Sequence, residues 1–246
     1  MSRILIYDSG VGNLPITWAI KNYVSAGELH LLSDTAFFPY GEKTDAELLT
    51  RTKLVLDKAI EQIDPDILVI ACNTLSTIAL DEVRKAYTMP VVGVVPAIKP
   101  AANASITKVI GLLATPATIN RQYTDTLIEE FAADCKVIKV GSTALVEMAE
   151  QYIRDNSINL DELAIILEPL TEAVQTSGLD QVVLGCTHFP LLKTHIQELM
   201  TGVGIQDSSE AIGRQVSRLN SEADISTSKL ITYHYKTLST GMLLAC

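Results

Sequence analysis

The chain has 246 residues, 48% apolar and 20% charged, with a formal net charge of −10 and four cysteines. This is a globular composition, and no apolar run approaches the roughly 20 residues that cross a bilayer. The acidic balance argues against a nucleic-acid or anionic-membrane surface, and cysteines without CxxC spacing do not suggest a disulfide framework or a zinc site.

The N-terminus "MSRILIYDSGVG" enters a strand-like run at once and reads as no signal peptide, so a cytoplasmic location is expected. "RILIY" (3–7), "LHLL" (29–32), "ILVIA" (67–71) and "VVGVV" (91–95) read as buried strands. Between them, 45–63 carries Leu48, Leu49, Leu56, Ala59, Ile60 and Ile63 near helical spacing. A second helix, 74–87, stops before Met89-Pro90. The second half repeats the plan. Strands are expected at 108–113, 136–140, 181–185 and 203–206, and helices near 117–133, 142–153, 159–177, 190–200 and 209–219. The tail "SKLITYHYKTL" (228–238) reads as an added edge strand.

This alternation predicts an α/β fold: two similar parallel-sheet lobes with the active site in the cleft between them. The first lobe is expected to span 1–97 and to be joined by 208–246; the second spans 98–207. Small polar residues gather at the strand ends of both halves, where open α/β sheets bind ligands. The third strand of the first half runs into "CNT" (72–74), and its counterpart runs into "CTH" (186–188).

Two thiols facing each other across a cleft suit three tasks. A redox pair is one, but these cysteines lie far apart in sequence and lack CxxC logic. A soft-metal site would want more thiolate or imidazole ligands at the usual spacings. The third is inversion at carbon: one thiolate removes an α-proton and the opposite thiol delivers a proton to the other face. A free thiol titrates near ~8.5, so such a base needs a helix N-terminus or a polar neighbour. Both cysteines precede predicted helices. Asn73, Thr74 and Thr187 are placed by sequence to hydrogen-bond a substrate carboxylate. On an extended chain, the side chains of Cys186 and His188 would diverge.

Each residue also has an ordinary structural role open to it. A lone cysteine ending an apolar run is commonly a small core residue, and that is the expectation for Cys135 and Cys246. For Cys72 and Cys186 the matched settings weigh equally toward function. Asp8 is either a turn cap or a partner for a substrate ammonium. His188 is either structural or a proton-holding neighbour of Cys186. "PYG" (39–41) is first a turn signal, Gly10 and Gly12 permit close backbone approach, and Glu150 reads as a solvated helix face.

"DSGVGNL", "PYG", "ACNT", "GVVPA" and "LGCTHFPLL", in this order and spacing, closely resemble the bacterial glutamate racemases of the cofactor-independent aspartate/glutamate racemase superfamily. The resemblance covers roughly residues 3–219, and "DSSEAI" downstream is similar too. It implies two α/β lobes and interconversion of L- and D-glutamate for peptidoglycan, without cofactor or metal. By this resemblance Cys72 and Cys186 are the acid/base thiols, the first deprotonating D-glutamate and the second L-glutamate. Asp8 and His188 assist them, and both also count among the substrate-binding positions with Ser9, Tyr40, Gly41, Asn73, Thr74 and Thr187. Thr115 and Thr118 fall on a weaker cleft motif, and Asp34 and Glu150 match polar positions near the site. A homodimer is the family-level expectation. Because no long extension precedes the first strand, activation by a cell-wall precursor is not expected. This chain departs from the family at Asn13, where a glycine is usual, and at "ATPAT" (114–118), where the family usually reads "GTxGT"; losing those glycines would stiffen or shift the loops. The alternatives are a racemase of the superfamily acting on aspartate or a related amino acid, or a non-catalytic small-anion-binding paralogue.

Overall fold

Alternation within the first strand decides what must surround it. The computed structural model describes residues 2–24, 27–221, 231–239 and 242–245. In β1 (Arg3–Asp8), Leu5 and Tyr7 enter one apolar cluster while Ile4 and Ile6 enter another. A strand buried on both faces needs helices on both sides. α1 (Asn13–Tyr23), β2 (Gly27–Ser33), α2 (Asp45–Ile63), β3 (Ile67–Ile70), α3 (Asn73–Ala86) and β4 (Val91–Gly93) follow. Leu48, Val55 and Leu56 of α2 and Leu75 and Ala79 of α3 cover the Leu5/Tyr7 face, and Ile16 and Ile20 of α1 cover the other. α2 starts where predicted, held by a capping box between Thr44 and Glu47.

The chain divides into two units, Met1–Val94 with Ser209–Cys246, and Val95–Ser208. The second unit contains α4 (Ile98–Ala104), β5 (Val109–Ala114), α5 (Pro116–Ile119), α6 (Gln122–Phe131), β6 (Lys136–Gly141), α7 (Ala144–Asp155), α8 (Leu160–Ser177), β7 (Gln181–Leu184), α9 (Lys193–Leu199) and β8 (Gly204–Gln206). α10 (Ser209–Ser221), β9 (Ile231–Ser239) and β10 (Met242–Ala245) belong to the first unit. α10 packs on α1 so closely that a Cβ at Gly213 would stand 2.8 Å from the Ala19 carbonyl oxygen.

The sheets run β10-β9-β2-β1-β3-β4 and β6-β5-β7-β8. All pairs are parallel except β9 with β10. Leaving the tail strands aside, each sheet orders its strands second, first, third, fourth. The chain is therefore α/β with two parallel-sheet lobes, as the alternation implied. Three elements differ from expectation. The helix expected over 117–133 breaks at Asn120, where the Thr118 carbonyl accepts from the Thr124 hydroxyl at 2.6 Å and the Arg121 N–H at 3.4 Å. The helix near 190–200 opens as a 3₁₀ turn, Phe189–Leu192. In the tail, β9 is no edge strand, since β10 pairs on its outer side; residues 228–230 and Cys246 lie outside the described residues. Cys135, expected in the core, is half-buried at the margin of a cluster. Among the described residues no helix is long and apolar enough to cross a membrane.

One carboxylate ties the second sheet together at its amino end. Asp180 accepts from the Ser105 hydroxyl (2.6 Å) and from the N–H groups of Ile106 (2.7 Å) and Thr107 (3.0 Å). Burial would raise its pKa, but these donors outweigh burial and hold the carboxyl below its ordinary range. Asp180→Ala is expected to cost about 2 kcal/mol at neutral pH and to lower Tm by roughly 4–8 °C. Because the folded pKa is depressed, this contribution is complete above the unfolded value of about 3.9 and disappears as pH falls through the folded one. Thermal scans of both proteins should therefore converge in strong acid.

Candidate active site

In an open parallel sheet, the carboxyl ends of the first and third strands flank the point where strand order reverses, and the crevice there takes ligands. Each unit places a cysteine at that point. Cys72 follows β3 as the N-cap of α3, 7% exposed, with Asn73 and Thr74 buried in the first turn. The helix N-terminus favours negative charge on the sulfur. The Ser76 hydroxyl donates to the Ile70 carbonyl (3.1 Å) and accepts from Val94 N–H (3.1 Å), which fixes the β3–α3 corner. The buried Asn73 Oδ1 has no hydrogen-bond partner.

Asp8, fully buried, ends the neighbouring strand. Its Oδ1 accepts from Gly10 N–H at 2.9 Å and from the Ser9 hydroxyl at 3.3 Å. Its carbonyl accepts from Asp34 N–H, which joins this strand end to that of β2. Asn13 braces the same loop: its Nδ2 donates to Ser33 Oγ (2.9 Å), and Ser33 Oγ donates to the Gly10 carbonyl (2.9 Å). The departure from glycine thus adds a side-chain tie. Tyr40, buried, donates to Asp34 Oδ2 at 2.8 Å and shares a short hydrogen bond with Tyr7. Burial, followed by the charge at Asp34, pushes the Tyr7 phenol well above its ordinary range. Burial and the adjoining Tyr7 and Asp34 do the same to Tyr40. Gly41, the next residue, is half-buried.

In the second unit Cys186 is one residue beyond Gly185, whose N–H donates to the Leu113 carbonyl (2.8 Å). Cys186 is 7% exposed, and Thr187 and His188 are buried. The expected divergence of Cys186 and His188 is not found. After Cys186 the chain turns, with Phe189 N–H donating to the Cys186 carbonyl, so Sγ and His188 Nδ1 lie 4.0 Å apart. His188 Nε2 is 2.8 Å from Glu150 Oε1 on α7. A carboxylate there accepts the Nε2 proton and leaves Nδ1 as the nitrogen toward the sulfur. Glu150, first read as a solvated helix face, is the polar backing of His188; in sequence, only the family pattern pointed to it. Thr115 caps α5, accepting from Thr118 N–H (3.2 Å) and donating to Thr118 Oγ1 (3.0 Å). "ATPAT" is thus a capped turn with both threonines buried.

The structure gathers Asp8, Ser9, Tyr40, Gly41, Cys72, Asn73 and Thr74 in the first unit and Thr187, Cys186 and His188 in the second. Residues 13–216 match the Asp/Glu/Hydantoin racemase family. The chain belongs to this family. Among similar racemases, glutamate racemase of Vibrio cholerae is 47% identical over 88% of this chain and 80% of its own length. That of Shewanella loihica is 44% identical over 89% of this chain and 81% of its own length. A solved structure of Escherichia coli glutamate racemase, in complex with L-glutamate and the activator UDP-MurNAc-ala, has a TM-score of 0.88 at 36% identity. It covers 98% of this chain and 91% of that one.

Proposed function

We propose that this family member is a glutamate racemase that supplies D-glutamate for peptidoglycan by a two-thiol, cofactor-independent mechanism. The observation that carries the reading is the equivalence of the two cysteines. Each lies two residues beyond the third strand of a second-first-third-fourth sheet, buried but still solvent-touched. In this mechanism the Cys72 thiolate takes the α-proton of D-glutamate and the Cys186 thiol gives a proton to the opposite face. The electron pair left on the α-carbon is stabilised by hydrogen-bond donors around the substrate carboxylate. The reverse direction exchanges the two roles. Asp8 supports the first thiol, and His188, backed by Glu150, supports the second. The free Asn73 Oδ1 suits a donor such as the substrate ammonium. Ser9, Tyr40, Gly41, Thr74 and Thr187 complete the binding set. A cytoplasmic homodimer is part of the same reading and rests on the family resemblance.

The test is optical. The purified protein is incubated with each enantiomer of glutamate and of aspartate, with and without chelator. Loss of optical rotation with glutamate, unaffected by chelator, is expected. Turnover of aspartate alone would move the assignment to the aspartate racemases, and turnover of neither would leave a binding protein.

A further inference from the structure

We propose that Arg51 is a positioning residue for substrate binding, holding the 34–41 segment that carries Tyr40 and Gly41; this rests on the racemase reading. Asp34 is 0% exposed, and a buried carboxylate needs a counter-charge. Arg51 supplies it as a fork, with Nε donating to Oδ2 at 2.8 Å and Nη2 donating to Oδ1 at 2.6 Å. The remaining polarity of the cluster then follows. An ionised Asp34 can only accept, so the Tyr40 proton is committed to Oδ2. Tyr7 must therefore donate to the Tyr40 oxygen. Tyr7 belongs to the same apolar cluster as Cys72 and Leu75. Hydrogen bonds thus converge on Asp34 from Arg51 of α2 on one side and from Tyr7 through Tyr40 on the other.

Arg51 also reaches the segment at a second point. Its guanidinium lies 5.6 Å from the centre of the Phe37 ring, and that ring meets Tyr40 edge-on at 6.4 Å. One side chain grips Asp34 and Phe37 directly and Tyr40 through each of them. The capping box at Thr44 fixes where α2 begins, just beyond Gly41, and so sets which turn presents Arg51 back to the segment. Lysine could restore the charge but not the fork. The hydrogen bonds to Asp34 also push the guanidinium above its ordinary range.

KM and kcat for both glutamate enantiomers, with unfolding curves, test this in wild type, Arg51→Met, Arg51→Lys and the double variant Asp34→Asn/Arg51→Met. Loss of a charge-assisted anchor should raise KM about tenfold or more in folded Arg51→Met, with a smaller change in kcat. Arg51→Lys should recover part of it, and low-millimolar guanidinium should lower the KM of Arg51→Met. If Arg51→Met does not fold, the double variant, which buries no unpaired charge, should show the same KM increase. Wild-type KM in whichever of these two variants folds, or a fall in kcat alone, would overturn the positioning role. An inactive wild type would instead overturn the racemase reading, whatever the variants show.

Discussion

Cys72→Ala and Cys186→Ala should each lower racemisation of both glutamate enantiomers by about 10³-fold or more, with the fold intact. Each thiol is the base in one direction and the acid in the other, so losing either blocks both. Truncation removes one sulfur from a site that is already slightly solvent-exposed, so the structural cost is small. The variants should still differ in a diagnostic way. Cys186→Ala keeps Cys72 and should slowly exchange the α-proton of D-glutamate without inverting it. Cys72→Ala should do the same to L-glutamate. Measurement of rotation and of α-proton loss in each variant checks both statements, and full activity in either variant would disprove the two-thiol assignment.

The second large effect concerns the pair behind Cys186. His188→Ala should lower kcat by about 100-fold, since it removes the imidazole whose Nδ1 stands 4.0 Å from that sulfur. Glu150→Gln should cost about tenfold, mostly in kcat, because an amide can donate to Nε2 and permit the tautomer that puts the proton on Nδ1. Steady-state kinetics of both variants, each checked for a wild-type unfolding curve, decide this. A Glu150→Gln enzyme with unchanged kcat would reduce the Glu150 contact to a structural one.

Why some of this was legible in sequence and some was not follows from range. β3 and β7 are buried on both faces, so they appear as apolar runs that stop at Cys72 and Cys186. Helix α2 announced itself through its period, although its N-cap is Thr44 and not Asp45, the candidate one residue on. The partners of those cysteines are a different matter. Glu150 and His188 lie 38 positions apart, and Arg51 and Asp34 are 17 apart with a turn between. Helical spacing gives a side chain a face but does not say what stands opposite. Glu150 therefore looked like a solvated helix face, and nothing in the sequence marked Arg51. Local geometry was misread for a similar reason. Cys186 and His188 were expected to diverge on an extended chain, whereas the chain turns after Cys186 and brings Sγ and Nδ1 to 4.0 Å. The break at Asn120 depends on a hydroxyl from Thr124 that no periodicity shows.

The central claim is that two bases act on opposite faces of one carbon, and solvent deuterium tests it most directly. Wild-type protein is incubated with protiated L- or D-glutamate in heavy water, and both enantiomers are followed at early times. Two thiols predict deuterium at the α-carbon of the inverted product while the remaining substrate keeps its proton. Deuterium entering the recovered substrate as fast as the product, or no exchange with either enantiomer, would contradict it.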